Sequence, residues 1–276
     1  MGNILKVSII TAVFNRRDTI KNCIDSIQNQ TYSDIEHVII DGGSTDGTIE
    51  VVKNSFYSDT IFISEIDNGL YDAINKGIRA STGSIIGLLH SDDVFASEAI
   101  VSQVVSEFSD SDLDAVYADA NFFKNGDTTK VVRRFRSDRF SLKTLPWGWM
   151  PAHTTIFFRR SVFERFGVYR HDYKIAADMD FVARVFSSQN FKSKYIQDVW
   201  INMAIGGVST GGVRNTLMLN REVLRALREN GIQTNIIKLL SKYPLKILEY
   251  SQFFHKIKSE SSKSSFFAKI LGSLKW

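Results

Sequence analysis

The stretch "IEHVIIDGGSTDGTIEVVKNSFYSDTIFISE" (residues 35–65) decides the fold class. It contains two short runs rich in β-branched residues, 35–41 and 60–65, and these runs predict two strands. Between them a turn-rich loop leads into a short helical segment, predicted over 48–54. A strand, a connecting helix and a second strand form the unit from which parallel sheets are built.

The same alternation continues on both sides of this stretch. Further strands are predicted at residues 6–13, 83–89 and 113–119. Helices are predicted at residues 18–30, 69–81 and 97–108. The chain is therefore predicted to be α/β, with a mainly parallel, doubly wound sheet. After residue 125 the rhythm changes, with strands predicted at 128–136 and 153–160 and a helix at 177–188.

Acidic residues follow several of the predicted strands, and the carboxyl ends of parallel strands are where such sheets bind ligands. In the stretch "LLHSDDVF" (88–95) two acids stand side by side after a buried strand. For any single acid the alternative is a helix cap or a solvated loop. The acids at the strand ends are Asp41, Glu65, Asp67, Asp92, Asp93 and Asp119.

The composition is that of an ordinary globular protein, with 43% hydrophobic and 23% charged residues in a chain of 276. One cysteine, Cys23, excludes an internal disulfide and a cysteine-rich metal site, and it favours a reducing, cytosolic compartment. No apolar run approaches the roughly 18 to 20 residues of a membrane span, and we expect no secretory signal at the amino terminus.

The positive charge is concentrated at the carboxyl end. Residues 238–276 hold eight lysines and two glutamates, a net charge of +6, whereas the whole chain carries +4 and residues 1–237 therefore about −2. Because the main domain is not basic, we expect no nucleic-acid partner. The tail mixes lysine with large apolar residues, which favours a basic amphipathic segment on an anionic membrane surface. The alternative is a solvated helix that packs on the domain.

Four segments carry a family resemblance: "VSIITAVFNR", "QTYSDIEHVIIDGGSTDGT", "SEIDNGLYDAINKGIRASTGSIIGLLHSDD" and "AADMDFVARV". They resemble glycosyltransferase family 2, the inverting sugar transferases with the nucleotide-diphospho-sugar (GT-A) fold, and within it the bacterial branch for colanic acid, capsule and O-antigen polysaccharides. The resemblance implies a domain at residues 1–212, divided into a nucleotide-sugar-binding half (1–120) and an acceptor half (121–212). A helical basic extension, 213–276, follows.

The resemblance also implies the donor site. Asp93 would hold Mn²⁺ or Mg²⁺, for which a carboxylate oxygen is a suitable ligand, and Asp92 would approach the ribose. Asp41 would bind the nucleobase, either uracil or guanine, with uridine diphosphate as the default. His90 stands where many members have a further acid, and it either contacts the metal or the donor or simply packs. The other implied donor-binding residues are Thr11, Ala12, Val13, Asn15, Glu65, Asp67 and Lys76.

The family's Glu-Asp motif aligns with Ala177 and Asp178, so the resemblance implies Asp178 as the base that deprotonates the acceptor hydroxyl. On a helix Asp178 and Asp180 are about 200° apart, so both cannot face one pocket. The alternative for either acid is a cap or a partner of the helix dipole.

Three further side chains are candidates on the acceptor side. His153 matches a histidine common in this branch, near metal, diphosphate or acceptor. Trp147 and Trp149 either stack on a sugar, meet lipid or pack. The glycine-containing loop 206–210 is expected to close over the donor.

The sequence thus predicts an inverting, metal-dependent transferase that moves a hexose from a nucleotide-diphosphate donor to a hydroxyl of a polyprenyl-diphosphate-linked oligosaccharide. Its expected place is the cytoplasmic face of a bacterial membrane. The alternatives are a non-catalytic nucleotide-sugar-binding protein and a transferase with a GDP-sugar donor. A dinucleotide-dependent dehydrogenase is excluded because "TAVFNRR" (11–17) lacks the glycines of that loop.

Overall fold

The computed structural model describes residues 5–124, 127–205 and 213–241. Within these ranges nine strands form one mixed sheet. The strands are β1 Val7–Val13, β2 Ile35–Asp41, β3 Thr60–Ser64, β4 Ile85–Leu88, β5 Val94–Phe95, β6 Ala115–Lys124, β7 Asp127–Phe135, β8 Phe157–Arg159 and β9 Ser193–Ala204. Their order is β3-β2-β1-β4-β8-β6-β9-β5, with β7 paired to β6.

The helices lie on both faces of this sheet. They are α1 Ile20–Gln28, α2 Thr48–Lys53, α3 Leu70–Ala80, α4 Ile100–Glu107, α5 Arg160–Phe166, α6 Ala177–Phe186, α7 Val213–Glu229 and α8 Ile236–Leu240. Side chains along a strand point alternately to the two faces of the sheet, so β1 and β2 contribute residues to two hydrophobic clusters, one on each face. One cluster includes α3, α6 and α7, and the other includes α1 and α4.

The first half of the fold is the predicted parallel sheet. β1 pairs in parallel with β2 and β4, and β2 pairs in parallel with β3. β1 and β2 are buried along their whole length, as expected for strands covered by helices on both faces. Their carboxyl ends therefore meet at one edge of the sheet, followed by the loops that carry most of the predicted donor-binding residues.

The second half corrects one predicted strand. Residues 153–160 do not form a single strand, because a 3₁₀ turn occupies His153–Thr155 and α5 begins at Arg160. The Thr155 hydroxyl, which has one proton to donate, lies 2.7 Å from the carbonyl oxygen of Ala152 and 2.8 Å from that of Ala118, and the contact with Ala152 favours the local turn over an extended backbone. Only β8 remains, and it lies antiparallel between β4 and β6.

The strand predicted at 113–119 is longer than expected, and this removes Asp119 from the ligand-binding edge. β6 continues to Lys124, so Asp119 lies inside the sheet and is 1% exposed. Its carboxylate accepts hydrogen bonds from the Ser137 amide (2.8 Å), the Tyr195 hydroxyl (3.0 Å) and Arg134 Nε (2.9 Å). Asp119 therefore connects β6 to its neighbours β7, through Arg134, and β9, through Tyr195.

The start of the predicted extension packs on the domain. Val223, Ala226 and Leu227 of α7 and Leu239 of α8 are buried in the same cluster as α6. Among the described residues, no helix has the length and apolar character needed to cross a membrane. The rest of the basic tail, 242–276, and the loop 206–210 lie outside the described residues.

Candidate active site

The loops after β1 and β2 form one wall of the site. The Asn15 amide donates to Ser44 Oγ (2.8 Å), and Asn15 Oδ1 accepts a hydrogen bond from the Thr45 amide (2.9 Å). The φ of Asn15 is +50°, a left-handed conformation that asparagine adopts more readily than most residues. Asn15 therefore fastens the two loops together.

Asp41, at the end of β2, is fully buried beneath this wall. Its Oδ2 accepts hydrogen bonds from the amides of Gly43 and Ser44 (both 3.1 Å) and from Ser64 Oγ (2.8 Å). Its Oδ1 is buried and accepts no hydrogen bond from the part of the chain that the structure describes. An unsatisfied buried carboxylate oxygen is costly, so this atom is ready to accept an N–H from a ligand.

The β1 residues predicted to line the same pocket support it from beneath. The Thr11 hydroxyl lies 3.0 Å from Nε2 of the buried His37, inside the core. Ala12 and Val13 are also buried, and the Val13 carbonyl accepts a hydrogen bond from the Gly42 amide (2.9 Å). The structure does not bring these three side chains to the surface of the site.

Lys76 of α3 organises the loop after β3. Its ammonium lies 2.8 Å from Glu65 Oε1, 3.4 Å from Asp72 Oδ2 and 3.2 Å from the carbonyl oxygen of Ile66. These contacts tie the loop to α3. Asp67 in this loop lies against Gly42, where any side chain would collide with its carboxylate. The loops after β2 and β3 are thus in close contact.

The two acids after β4 differ in environment. Asp93 is 2% exposed, and its Oδ1 accepts a hydrogen bond from the Ala204 amide at the end of β9 (3.0 Å). Its Oδ2 is buried with no hydrogen-bond partner among the described residues. Burial, together with the charge of Asp92, holds the pKa of Asp93 well above its usual range. Asp92 is partly exposed.

Residues 5–124, 127–205 and 213–241 contain no group of three or more His, Cys, Asp or Glu side chains arranged to hold a metal ion. Mg²⁺ and similar hard cations are often held by one or two carboxylates, with phosphates and water as the other ligands. The unpartnered oxygen of Asp93 fits a site of that kind.

Two histidines lie beside the acid pair. The ring centres of His90 and His153 are 6.3 Å apart, and Nε2 of His153 lies 2.8 Å from the Tyr169 hydroxyl. Burial lowers the pKa of His90, and it lowers the pKa of His153 to about 3 with a smaller contribution from His90. Both imidazoles are therefore neutral at neutral pH.

Asp178 lies on the first turn of α6 and is partly exposed. Its Oδ1 accepts a hydrogen bond from the Met179 amide (2.8 Å) and lies 3.3 Å from the Tyr71 hydroxyl. Burial raises the pKa of Asp178 to about 6. A carboxyl group with this pKa is largely ionised at neutral pH and is a stronger base than an ordinary aspartate.

A row of aromatic rings, which we name the aromatic bridge, links Asp178 to the acid pair. Neighbouring ring centres in this row are 5.9, 5.3 and 6.3 Å apart. Starting from Asp178, its members are Tyr71, Tyr169, His153 and His90. The bridge connects α6 to the loop after β4 through a continuous row of ring contacts.

A sequence model described as glycosyl transferase family 2 matches residues 8–167. The chain belongs to glycosyltransferase family 2. The match contains Asp41 and the acid pair, and it ends before Asp178. The predicted family is confirmed.

Relatives of this glycosyltransferase are found in bacteria. A "PGL/p-HBAD biosynthesis glycosyltransferase" of Mycobacterium bovis is 32% identical over 248 residues, which are 86% of this chain and 90% of the relative. An uncharacterised glycosyltransferase of Bacillus subtilis, EpsJ, is 30% identical over 194 residues, which are 65% of this chain and 56% of the relative.

Solved structures share the fold of this glycosyltransferase at low sequence identity. Staphylococcus aureus TarS 1-349 in complex with UDP-GlcNAc has a TM-score of 0.63 and 15% identity, covering 81% of this chain and 66% of that chain. The mannosyltransferase PcManGT from Pyrobaculum calidifontis, in complex with GDP-Man and Mn²⁺, has a TM-score of 0.61 and 17% identity, covering 99% and 82%. These similarities confirm the predicted GT-A fold.

Asp180 of the glycosyltransferase lies on a different side of α6 from Asp178, in agreement with their helical spacing. It is 1% exposed, and its carboxylate accepts hydrogen bonds from Arg184 (3.1 Å) and from the Asn230 amide group (3.0 Å). Asp180 therefore connects α6 to the end of α7.

The two predicted tryptophans contact basic side chains. Trp147 is 41% exposed, and the Lys238 ammonium lies 5.7 Å from its ring centre. Trp149 is partly buried, with the Arg139 guanidinium 5.6 Å from its ring. Each contact is a cation–π interaction, and the Lys238 contact joins the segment before Gly148 to α8.

Sequence reasoning missed the residues that connect the site. Tyr71 stands in the quoted segment "GLYDA" (69–73), but nothing in that segment indicates a contact with α6. Tyr169 belongs to no sequence motif. It was missed because only the folded chain places its ring between those of Tyr71 and His153.

Proposed function

We propose that this glycosyltransferase catalyses the inverting transfer of a sugar from a nucleotide-diphosphate donor to an acceptor hydroxyl, with Asp178 as the general base. The observation that carries the proposal is the aromatic bridge between Asp178 and the acid pair. Direct displacement requires a base for the attacking hydroxyl and stabilisation of the departing diphosphate. The two ends of the bridge supply residues suited to these two tasks.

On the diphosphate side, Asp93 would hold Mn²⁺ or Mg²⁺ through its buried Oδ2. When bound, such a cation supplies Lewis-acid stabilisation of the leaving nucleotide. The partly exposed Asp92 would approach the ribose. His90 and His153 are neutral at neutral pH and would add no positive charge near a bound cation. Lys76 and Glu65 keep the loop with Asp67 in place at the donor.

For the nucleobase we propose Asp41, whose Oδ1 accepts no hydrogen bond from the described residues. Either the imide N–H of uracil or the N–H groups of guanine would satisfy it, and uracil matches it most simply. The fold alone does not distinguish a UDP-sugar from a GDP-sugar donor, because one similar structure contains UDP-GlcNAc and another contains GDP-Man. UDP is therefore the default, and a GDP-sugar is the alternative.

For the acceptor we propose an oligosaccharide on a polyprenyl diphosphate, used in bacterial surface polysaccharide synthesis at the inner face of the cytoplasmic membrane. One relative is named for PGL/p-HBAD biosynthesis. The basic tail and the exposed apolar side chains of α8, Ile236, Ile237 and Leu240, support a place at an anionic membrane surface.

A donor screen tests the proposed reaction. The full-length protein with Mn²⁺ should release the nucleotide from one member of a panel of UDP- and GDP-sugars. The anomeric configuration of the product, measured by proton NMR, should be opposite to that of the donor. If no donor is turned over while UDP or GDP with Mn²⁺ still raises the melting temperature, the protein is the non-catalytic alternative. Retention of configuration would disprove the inverting mechanism.

Replacing the base gives a second test. Asp178→Asn should lower kcat by about 10²- to 10⁴-fold, the range expected for the loss of a general base. In the wild type, kcat should fall as the pH drops below about 6, where Asp178 becomes protonated. Asp198→Asn is the matched control, because Asp198 is also partly exposed and accepts a hydrogen bond from the next amide, that of Val199 (2.7 Å). Equal activity in both variants would exclude Asp178 as the base.

A further inference from the structure

The chain segment directly before α6 is held by a side chain from α7. Glu222 Oε1 accepts a hydrogen bond from the Lys174 amide (2.9 Å), and Glu222 Oε2 accepts from the amides of Ile175 (2.8 Å) and Ala176 (3.0 Å). One ionised carboxylate thus binds three successive backbone N–H groups, and such charge-assisted hydrogen bonds are about twice as strong as neutral ones. The position of residues 174–176 therefore depends on Glu222.

Residues 174–176 provide the carbonyl oxygen to which the Tyr71 hydroxyl donates its hydrogen bond. This hydroxyl lies 2.6 Å from the Ile175 carbonyl oxygen and 3.3 Å from Asp178 Oδ1. A tyrosine hydroxyl has one proton to donate, and the shorter contact is the stronger hydrogen bond. The proton of Tyr71 therefore goes mainly to Ile175, and the carboxylate of Asp178 receives little of it.

We propose that Glu222 is a positioning residue for the general base. It fixes the Ile175 carbonyl so that this oxygen, rather than Asp178, takes the proton of Tyr71, and Asp178 stays free to take the proton of the acceptor hydroxyl. This inference rests on the proposed function of Asp178, but the position of the Tyr71 proton can be tested without any substrate.

The charges around Asp178 act in the same direction. Burial is the main cause of its raised pKa, the hydrogen bonds from the Met179 amide and from Tyr71 lower this pKa, and the negative charge of Glu222 raises it. Tyr71 on α3 and Tyr169 also face Asp178, and both hydroxyls stay protonated because burial raises their pKa values. Loss of Glu222 would remove a negative charge and would free Tyr71 to donate to Asp178, and both changes lower the pKa of Asp178.

The test is a carbon-13 NMR titration of the Asp178 carboxyl group, with the resonance assigned from Asp178→Asn. In Glu222→Gln the pKa of Asp178 should fall by roughly half a pH unit or more below the wild-type value. Glu229→Gln is the matched control, because Glu229 lies seven residues further on the same face of α7. It pairs with Arg170 and Arg225 instead. An unchanged Asp178 pKa in Glu222→Gln, or an equal fall in Glu229→Gln, overturns the proposal.

Tyr71→Phe supplies an independent measurement, which also decides the matter if Glu222→Gln does not fold. If the Tyr71 proton is committed to Ile175, removal of the hydroxyl should leave the pKa of Asp178 nearly unchanged. A clear rise in this pKa would show that Tyr71 donates to Asp178, and the proposal would be wrong.

The kinetic readout separates this inference from the proposed function. In Glu222→Gln the acid limb of the pH profile of kcat should move to lower pH, while KM for the donor stays unchanged. A loss of activity that is equal at every pH would indicate a merely structural role and would overturn the proposal. If the wild type turns over no donor, the proposed function fails, and the titration still decides the role of Glu222.

Discussion

Two buried aspartates, Asp119 in β6 and Asp93 in the loop after β4, show how hydrogen-bond partners determine the energetic cost of a buried carboxylate. Asp119 has hydrogen bonds to both oxygens, including one from the charged Arg134. Asp93 has one bonded oxygen, and the other is buried without a partner among the described residues. A buried charge without a partner is costly, so Asp93 destabilises the fold in the absence of a cation.

This cost predicts that Asp93→Asn stabilises the metal-free protein. Because the pKa of Asp93 is raised, the stability of the metal-free fold falls as the pH rises from the ordinary Asp range toward this raised value. Asparagine removes the charge and can still accept the Ala204 N–H. We expect a gain of about 1 kcal/mol at pH 7, or a few degrees in Tm, measured by thermal unfolding in EDTA.

Asp119→Asn is the control for this substitution. It breaks the ion pair with Arg134, so it should lower the melting temperature under the same conditions. In the wild type, Mn²⁺ with UDP should raise the melting temperature, and this increase should be lost in Asp93→Asn. A destabilised Asp93→Asn protein that kept the full Mn²⁺ response would contradict the assigned role.

At the residue level, the sequence identifies the acids at the ends of β2, β3 and β4, because a parallel sheet places these ends at one edge. It does not show which acids find internal partners. Asp119 looks the same as Asp93 in the sequence, since both follow a buried run. Only the fold brings Ser137 and Tyr195 to Asp119, and only the fold brings Glu222 to the start of α6.

Among the elements, α3 approaches β1 closely at Gly77. A side chain at this position would collide with Ile10 and come within 3.4 Å of Ile40. Alanine is favoured over glycine in a helix by up to about 1 kcal/mol. Here overpacking should dominate, because Ile10 is buried in a central strand and cannot move away.

We therefore expect Gly77→Ala to lower the free energy of unfolding by about 1 to 3 kcal/mol, measured by urea denaturation. Arg79→Ala, at an exposed position of the same helix, should change it by less than about 0.5 kcal/mol. If Gly77→Ala were as stable as the wild type, α3 would have to pack less closely than the structure shows.

The elements of the first half were predictable because each strand is a short run rich in apolar, mostly β-branched residues and each helix has a clear apolar spacing. The second half was less predictable for identifiable reasons. β8 has three residues and lies between a 3₁₀ turn and a helix, and β5 has only two. β9 begins with exposed and partly buried residues, so no apolar run marks its start.

For the whole molecule, we expect the basic tail to attach the protein to the membrane without contributing to the stability of the folded domain. A cut after Asn235 would remove the buried Leu239, so it would test folding as well. A cut after Ser241 keeps α8 and removes seven lysines and two glutamates. The truncated protein should keep its melting temperature and its turnover of a soluble acceptor, and it should no longer sediment with vesicles that contain anionic lipid.

Neutral vesicles and high salt are the controls for this sedimentation. The full-length protein should bind anionic vesicles more strongly than neutral ones, and added salt should weaken the binding. If the truncated protein sedimented as strongly as the full chain, the tail would not be the membrane anchor.

The dependence of α6 on α7 has an evolutionary consequence. The family match ends at residue 167, so the proposed base, Asp178, and Glu222, which holds the segment before it, both belong to the part of the chain outside the match. A chimera that exchanged only residues 168–186 with a relative would separate Asp178 from Glu222. Exchange of 168–241 would keep them together. We therefore expect these two helices to be inherited as one block, and a graft to stay active only when the whole block is moved.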